Sequence, residues 1–448
     1  MDLKNFLESI NLGFTLCIVF PSIVALGLYF TIKLNCVQIT RLPLSFASLL
    51  KKGSGDMNGN ISRFGALSAV LAGNFGTGNI SGMAVALCTG GPGALVWMWI
   101  MAFFGATIQY ASSILGVSYR QKLQNNEYVG GPMYYLRDGL GYKKLAALFA
   151  TFTILGAITV GLFAQINSVV LPLEKIGLNP FYSSLCLMCL VAIVTLGGIQ
   201  RIASFASYIV PFKALLYLGT AFVILFLHAD KIPHAFGLMF ESAFDFTAVA
   251  GGALGMGLFH AIKTGFDRGL FATDAGTGIV PILQASSRSE NPVIDGIVTL
   301  VAPLMVMIVC TTTGLVLLVT GAWQQIGLES TNMVTFAFSQ GLGSQAGGYI
   351  VVVTLLLFAY TTILAWGYCG EKAFGFLLGS RANKKRILFF RYFYILLVPV
   401  GSLLHVSLIW TLADIAITLM VITNVIGITK LRGKVVQASQ SYATAQSS

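Results

Sequence analysis

The chain has 448 residues, of which 56% are apolar and only 10% charged, and its mean hydropathy is +0.82. Because a soluble domain carries about 25% charged residues, this composition excludes a soluble enzyme, a disordered scaffold and a secreted disulfide-rich domain. The formal net charge of +11 does not indicate a nucleic-acid-binding face, since the basic residues form short clusters between apolar runs. We therefore predict an all-α integral membrane protein embedded in a lipid bilayer.

Eleven apolar segments are long enough to cross a bilayer, which takes roughly 20 residues. The first is not a cleavable signal peptide, because it follows a start of mixed charge, contains Pro21 and lacks a small-residue cleavage site. We predict about eleven transmembrane helices, at residues 13–32, 64–89, 93–118, 145–171, 181–199, 204–227, 246–266, 293–320, 348–370, 387–408 and 411–429.

The basic residues predict the orientation of these helices. Lys and Arg concentrate in cytoplasmic loops. If the N-terminus lies outside, all but four of the 27 basic residues fall in or beside cytoplasmic loops, and the exceptions are Lys4, Lys175, Lys213 and Lys231. A miscount by one helix would remove this asymmetry. We expect a multi-pass protein of the plasma (cytoplasmic) membrane with its N-terminus outside and its C-terminus inside.

Glycines cluster at the centre of the second segment, where residues 72–82 read Ala-Gly-Asn-Phe-Gly-Thr-Gly-Asn-Ile-Ser-Gly. Each glycine costs about 1 kcal/mol in a helix interior, and unwound backbone is tolerated at membrane depth where protein buries it or it lines a cavity. We therefore predict an interrupted helix. The alternative is close helix packing through the GxxxG pair Gly78 and Gly82, which does not need the polar side chains of this stretch.

A second glycine cluster, Gly251 to Gly257, lies in the seventh segment. Counted from the second segment, the two clusters fall in the first and sixth of ten helices, and such paired interruptions are typical of the binding site of an inverted-repeat transporter. We expect a 5+5 inverted repeat preceded by one extra helix. The predicted units are 1–62 with the extra helix and a cytoplasmic loop, 63–230 and 231–429 with five helices each, and the cytoplasmic tail 430–448.

A broken helix offers two binding sites side by side. The half that begins near Asn79 presents free N–H groups, which suit a carboxylate, and the half that ends near Phe75 presents free carbonyls, which suit a cation. One break can therefore hold an amino acid and its coupling ion.

Several short motifs accompany these breaks along nearly the whole chain. They are Gly76-Thr77-Gly78-Asn79-Ile80, Gly90-Gly91-Pro92-Gly93-Ala94 with Trp97-Met98-Trp99, Tyr128-Val129-Gly130-Gly131-Pro132-Met133-Tyr134-Tyr135, Gly197-Gly198-Ile199, Arg268-Gly269-Leu270-Phe271 and Gly370-Glu371-Lys372. In them the sequence resembles the alanine or glycine:cation symporter family (sodium:alanine symporters) of the LeuT-like superfamily. The resemblance implies uptake of a small neutral amino acid, usually driven by sodium, with no cofactor beyond the co-transported ion.

The resemblance also implies site residues. The N–H groups of Thr77 and Gly78 would hold the substrate carboxylate, Gln165 would face the substrate, and Trp366 would close over a small side chain. With the two predicted breaks, the candidate substrate-binding residues are Thr77, Gly78, Asn79, Gln165, Gly255 and Trp366. The alternatives are a satisfied interhelical amide for Gln165 and an interfacial tryptophan for Trp366.

A sodium site of the superfamily type would use the carbonyls of Ala72, Phe75 and Phe358 and the hydroxyls of Thr361 and Thr362. Oxygen ligands of this kind suit a hard cation. The alternative is that the adjacent threonines bond back to their own helix.

Two stretches depart from the usual family sequence. Where relatives usually read Ser-Asn-Glu-Ala-Gly, this chain has Ala272-Thr273-Asp274-Ala275-Gly276, and the usual Ala-Pro-Ile-Ala-His becomes Val280-Pro281-Ile282-Leu283-Gln284. We expect the altered segment 272–284 to lie on the cytoplasmic side and to affect gating more than recognition.

Lys213 stands where relatives usually have an apolar residue. It lies about ten residues into its predicted helix, hence roughly 15 Å deep, and a charge at that depth is a functional hypothesis by default. We expect its ammonium to reach the sodium site beside Phe75, Thr361 and Thr362 and to replace the ion. Since burial favours the neutral amine, a proton would then be the coupled species. The alternatives are a lysine that extends toward the cytoplasm or pairs with an acid such as Asp267.

We therefore predict a secondary active transporter for alanine or glycine and not an enzyme, because zinc-protease, hydrolase and P-loop motifs are absent from the sequence. The coupled cation is sodium by resemblance, and the alternative is a proton with Lys213 in place of the ion. A channel or a transporter-like sensor without coupled flux is a further alternative. A channel would favour a polar stripe along several helices and a sensor a soluble domain, whereas the polar groups here gather at two breaks.

Overall fold

A computed structural model describes residues 3–50, 59–123, 126–175, 177–244, 255–289, 291–325, 327–328 and 330–447. These residues are helical almost throughout, which confirms the all-α prediction. The strands β1 (Gln121–Lys122) and β2 (Tyr128–Val129) form a short antiparallel hairpin.

The α-helices follow in chain order. The first eleven are α1 (Leu3–Phe14), α2 (Phe20–Lys33), α3 (Val37–Thr40), α4 (Leu42–Leu50), α5 (Arg63–Asn74), α6 (Ser81–Gly90), α7 (Ala94–Ser118), α8 (Pro132–Tyr134), α9 (Lys143–Ile158), α10 (Ala164–Lys175) and α11 (Pro180–Thr195). The others are α12 (Gly198–Leu227), α13 (Ile232–Ala243), α14 (Gly255–Thr273), α15 (Ile279–Gln284), α16 (Pro292–Thr299), α17 (Val301–Val319), α18 (Ser330–Gly341), α19 (Ala346–Leu378), α20 (Lys384–Leu396), α21 (Val398–Gly401) and α22 (Val406–Ser447).

Short π-helical turns join some of these helices into continuous rods, at Thr15–Val19 between α1 and α2 and at Thr159–Phe163 between α9 and α10. In the bundle, α14 packs on α7, α19 packs on α9, and α12 lies against both α5 and α19. The predicted extra helix, formed by α1 and α2, packs on α7 and α22. Its Asn11 Oδ1 accepts a hydrogen bond of 2.8 Å from Thr418 Oγ1.

Seven helical segments of the described chain are long and apolar enough to cross a membrane: Leu7–Lys33, Ala94–Ser118, Lys143–Glu174, Gly198–Leu227, Pro292–Val319, Ala346–Arg381 and Leu408–Ala445. Each coincides with one of the eleven predicted spans. The other four predicted spans fall on shorter or interrupted helices, namely α5 with α6, α11, α14, and α20 with α21. The chain is thus a multi-pass membrane protein.

The first predicted interruption is present. Helix α5 ends at Asn74 and α6 begins at Ser81, with extended backbone at Gly76 and a single 3-10 turn over Thr77–Asn79 between them. We call this connection the first break. The amide of Asn79 spans it, since Nδ2 donates to the carbonyl of Asn74 at 2.7 Å.

A second interruption lies further along the chain than the predicted glycine cluster. Residues 251–254 of the predicted glycine cluster lie outside the described residues, and Gly255 begins α14, which continues without interruption to Thr273. The chain leaves the helix at Asp274 (φ 51°), and Gly276 and Gly278 also have positive φ before α15 begins. Left-handed backbone suits glycine and, among other residues, aspartate and asparagine. We call residues 274–278 the second break.

The two breaks touch each other, because Asn74 Nδ2 donates to the carbonyl of Thr273 at 2.8 Å. The altered segment 272–284 therefore begins at the contact between the two breaks. Lys263 and Arg268, which the sequence analysis counts with a cytoplasmic loop, are part of a helix. They lie on α14 between the second break and the end of α6, where a side chain at Gly90 would contact Thr264.

At the opposite end of the bundle, buried ion pairs join the hairpin to α19 and α20. Lys372 Nζ lies 2.6 Å from Glu127 Oε1 and 3.0 Å from Glu371 Oε1, and Arg391 Nε lies 2.6 Å from Glu371 Oε2. Only 4% of the Glu371 side chain is exposed. Two cations thus depend on one buried carboxylate to hold three elements together.

Replacing Glu371 by Gln should destabilise the protein markedly, because it removes the buried carboxylate that pairs with both Lys372 and Arg391. Breaking a buried pair in this way costs about 3 kcal/mol or more. We expect a clear drop in the thermal unfolding temperature of the detergent-purified protein. The control is Asp138→Asn, which breaks a pair whose side chains are 31% and 32% exposed; such surface pairs contribute at most about 1 kcal/mol. Equal shifts for the two variants would contradict this account.

Candidate substrate and cation site

Gln165 contacts the first break directly. Its Oε1 accepts hydrogen bonds from the backbone N–H of Thr77 at 2.9 Å and from Thr77 Oγ1 at 3.0 Å, while its Nε2 donates to the carbonyl of Val160 at 3.1 Å. Val160 belongs to the π turn between α9 and α10, and π turns occur frequently at functional sites. The N–H that sequence reasoning assigned to a substrate carboxylate is therefore held by Gln165 in this structure.

Two glycines of the break are in close contact with their surroundings. A Cβ at Gly76 would lie 3.0 Å from Gln165 Oε1 and 3.0 Å from Thr362 Oγ1, and a Cβ at Gly78 would lie 2.4 Å from the Phe271 ring. Gly76 thus separates the amide that holds Thr77 from a hydroxyl of the candidate sodium site. Gly78 lies directly beneath an aromatic ring.

Asn79 makes several contacts that hold the first break in place. Besides the bond of its Nδ2 to Asn74, its Oδ1 lies 3.6 Å from Cys310 Sγ, and its carbonyl accepts from Thr313 Oγ1 at 3.3 Å. Thr313 in turn bonds to the hydroxyl of Tyr217 on α12 at 2.8 Å. The structure therefore ties Asn79 to α17 and α12.

The candidate sodium ligands lie together where α5 ends against α19. Thr362 Oγ1 crosses between the helices and donates to the carbonyls of Ala72 at 2.9 Å and Gly73 at 3.2 Å. Thr361 Oγ1 bonds back to its own helix, at 3.0 Å from the carbonyl of Leu357 and 3.1 Å from that of Phe358. The back-bonding alternative thus holds for one threonine and not for the other.

The ammonium of Lys213 lies at the same place. Lys213 is in the middle of α12 and has 0% exposure; its Nζ donates to the carbonyl of Phe75 at 2.9 Å and to Thr361 Oγ1. The ammonium also lies 4.5 Å from the ring centroid of Phe358, within the range of a cation–π interaction. Lys213 therefore does not extend toward the cytoplasm, and Asp267, the suggested partner acid, pairs with Lys263 at 3.3 Å.

The remaining candidates differ in position. Trp366 is 1% exposed, which excludes an interfacial role, and its Cβ would be 2.2 Å from a side chain at Gly161. It therefore packs on the π turn one helical turn away from Gln165. Gly255 begins α14 and is separated from Thr273 at the second break by 18 residues, or roughly 27 Å along the axis.

Sequence reasoning missed the groups that cover the first break on the α6 side. The Phe271 ring over Gly78 packs on Trp410, with ring centroids 4.9 Å apart, and the guanidinium of Arg268 lies 5.0 Å from the Trp410 ring. Arg268 also forms an ion pair with Asp414. We call the cover formed by Phe271, Trp410 and Arg268 the Phe271 lid. The motif Arg-Gly-Leu-Phe immediately before the second break is the sequence signal that could have identified it.

Replacing Gly78 by Ala should destabilise the closed break, because the new methyl group would overlap the Phe271 ring. Overpacking of this kind costs about 1–3 kcal/mol, and we expect a lower thermal unfolding temperature in detergent. The matched control is Gly82→Ala, four residues further on, where the nearest atom to a Cβ is Arg268 Cδ at 3.9 Å. A Gly82→Ala variant that loses as much stability as Gly78→Ala would contradict the close contact between the Phe271 ring and Gly78.

Comparison with known sequences gives close relatives over the whole chain. The sodium:alanine symporter family matches residues 1–448. An uncharacterized transporter of Haemophilus influenzae is 41% identical and covers 93% of this chain and 91% of its own. A sodium/alanine symporter of Methanococcus maripaludis is 37% identical, with 93% and 92% covered, and a putative sodium/proton-dependent alanine carrier protein of Bacillus subtilis is 32% identical, with 98% and 92% covered.

Solved structures agree on the fold. The crystal structure of the protein MhsT in complex with L-phenylalanine superposes with a TM-score of 0.61 at 13% identity, covering 84% of this chain and 90% of that one. A manganese transporter of Eremococcus coleocola gives 0.57 at 14% identity, covering 83% and 81%. At these identities the likeness shows the fold alone, which is LeuT-like. With two touching helix breaks at its centre and a match along its full length, the chain belongs to the sodium:alanine symporter family of secondary amino-acid transporters.

Proposed function

We propose that the protein imports a small neutral amino acid, alanine or glycine, and that the ammonium of Lys213 takes the place of the sodium ion at the first break. The observation that carries the proposal is the pair of hydrogen bonds from Lys213 Nζ to the carbonyl of Phe75 and to Thr361 Oγ1. Both acceptors belong to the set of oxygens that the family resemblance assigns to sodium.

The substrate class rests on the size and chemistry of the first break. The hydrogen bonds within the turn join Asn79 N to the carbonyl of Gly76 and Ile80 N to that of Thr77, and they do not use the N–H of Gly78. A substrate carboxylate would bind there and compete with Gln165 for Thr77. The Phe271 ring against Gly78 and Trp366 behind Gln165 border this place closely, which favours a small side chain over a large one. Relatives named as alanine symporters and carriers support the same class.

The cation chemistry follows from charge. An ammonium supplies one positive charge and three N–H donors, so it satisfies the carbonyl and the hydroxyl that would otherwise coordinate sodium. Two unit charges about 4 Å apart in a protein repel each other by about 4 kcal/mol even at an effective dielectric constant of 20. Sodium is therefore disfavoured at these oxygens while Lys213 is charged. A proton is then the coupled ion.

We further propose that the N-terminus lies outside and the C-terminus inside. Lys263 and Arg268 leave the cytoplasmic set, since they lie beside the α6 end of the bundle. The other basic residues of that set remain in it, among them Lys372 and Arg391 of the buried ion pairs with Glu371. The excess of Lys and Arg still favours this orientation.

Uptake by reconstituted protein tests the proposal. Proteoliposomes would receive labelled alanine or glycine under an imposed sodium gradient at equal pH, and under an imposed pH gradient without sodium. Accumulation driven by the pH gradient alone supports the role of Lys213. Accumulation driven by sodium alone contradicts it, and no accumulation under either gradient contradicts the substrate class.

Replacing Lys213 by Met should make transport depend on sodium, because the apolar side chain exposes the carbonyl of Phe75 and the hydroxyl of Thr361 to an ion. We expect uptake under a sodium gradient to rise about tenfold over its value without sodium, within the usual range of a coupling free energy. The control is Lys231→Met, at an exposed position, which should behave like the original protein. A Lys213→Met variant that gains no sodium dependence, yet still exchanges alanine, would refute the replacement.

A further inference from the structure

Asp274 places a buried acid at the second break. It is 2% exposed and adopts left-handed backbone at φ 51°. Within the described residues its Oδ1 has no hydrogen-bond partner, and none of the ion pairs formed there involves it. Its backbone is nevertheless well held, because Asp274 N donates to the carbonyl of Leu270 at 2.9 Å and Thr277 Oγ1 donates to that of Asp274 at 2.7 Å.

A second oxygen without a partner lies at the first break. Asn74 is 2% exposed and uses its Nδ2 to bond the carbonyl of Thr273, but its Oδ1 accepts no hydrogen bond from the described part of the chain. Thr273 is joined to Asp274 by a peptide bond. The two helix breaks therefore meet at a place where a carboxyl oxygen and an amide oxygen both lack a donor.

A buried carboxylate without a donor or a counter-charge is costly. Such a group is stable when it holds a proton or a bound cation, and buried ionisable residues within the membrane are functional by default. Lys213 does not supply the counter-charge, because its Nζ is bonded to Phe75 and Thr361. The acid and the lysine are thus two separate ionisable groups at the breaks.

We propose that the carboxylate of Asp274, assisted by Asn74 Oδ1, binds the monovalent cation that is coupled to transport. The inference rests on the proposed function, because a resident ammonium at Phe75 obliges the coupled cation to bind elsewhere. A proton would bond to a carboxylate oxygen, and sodium would take the same oxygens as ligands. Either cation neutralises the acid and removes its charge from the centre of the bundle.

The groups around Asp274 fit this role. The thiol of Cys369, on α19, lies near it and is uncharged. On α22, Asn424 donates its Nδ2 to the carbonyl of Gly276 at 2.8 Å and carries no charge. Arg268 and Lys263, on α14 itself, are paired with Asp414 and Asp267. Among the described residues, no cationic side chain is available to neutralise Asp274 permanently. We therefore expect a mobile cation to neutralise its carboxylate.

The position also explains how the cation would be coupled to substrate. Asp274 lies within unwound backbone, and Asn74 connects that backbone to the break that carries Thr77 and Gly78. Binding of a cation to the Asp274 carboxylate therefore changes the charge beside the contact between the two breaks. The neutralised acid and the charged acid favour different arrangements of that contact. No long-range path is needed, because the two sites share Asn74.

The test compares net uptake with exchange for Asp274→Asn in proteoliposomes. Exchange is counterflow of labelled alanine against internal alanine, which needs a folded substrate site but no ion gradient. We expect gradient-driven accumulation to fall about tenfold or more while counterflow persists. Asp267→Asn, a buried acid on the same helix that has its own partner, should keep both. An Asp274→Asn variant that accumulates alanine to the same level as the original protein overturns the proposal.

Two further results complete the test. If Asp274→Asn does not exchange alanine, Asn74→Ala decides, because it keeps the carboxylate and removes the Oδ1 ligand together with the Nδ2 bond to Thr273. We then expect a higher sodium or proton concentration for half-maximal uptake, and an unchanged cation dependence overturns the proposal. Loss of sodium-driven uptake in Asp274→Asn would support the acid and refute the role of Lys213, whereas loss of proton-driven uptake supports both. Proton-driven uptake that survives in Asp274→Asn refutes the acid alone.

Discussion

The hydrogen bond from Asn74 to the carbonyl of Thr273 is the contact on which the rest of the site depends. Each break leaves backbone groups without helical partners, and lipid offers none. The structure meets this constraint with side chains that cross between elements: Asn74 and Asn79 at the first break, Thr362 at the end of α5, and Asn424 at the second break. The breaks are thereby positioned against each other and not against solvent.

Lys213 meets the same constraint with a charge. The carbonyl of Phe75 lies where a helix ends, at the negative end of its dipole, and a cation there is favourable. In the proposed arrangement an ammonium attached to α12 provides that cation, whereas an ion must be taken from solution. The carbonyl and the hydroxyl are then satisfied from within the chain, and hydrogen bonds and aromatic rings offset the desolvation of the buried charge. The position of Phe358 beside the ammonium fits this compensation.

The sequence was sufficient for part of this arrangement. Hydropathy and charge predict the membrane class and most spans, and the first break follows from four glycines with polar residues between them. The depth of Lys213 was also readable, since the ends of its helix are clear. The break at residues 274–278 was not readable, because glycine density points to Gly251–Gly257, whereas this break uses two glycines and an aspartate in left-handed backbone. The π turn that positions Gln165 has no sequence signature, and the Phe271 lid depends on where α14 ends.

The place of the second break bears on the departures from the usual family sequence. The altered segment contributes Thr273 and Asp274 to the contact between the breaks, so the aspartate that stands where the family resemblance expects a glutamate lies at the candidate site itself. Gly76 shows how little room exists there, since a Cβ would lie 3.0 Å from both Gln165 and Thr362. The candidate substrate-facing and cation-facing side chains are separated by one glycine. A movement of either must displace the backbone between them, and in the proposed transport cycle this close packing would physically link the amino acid to its coupled ion.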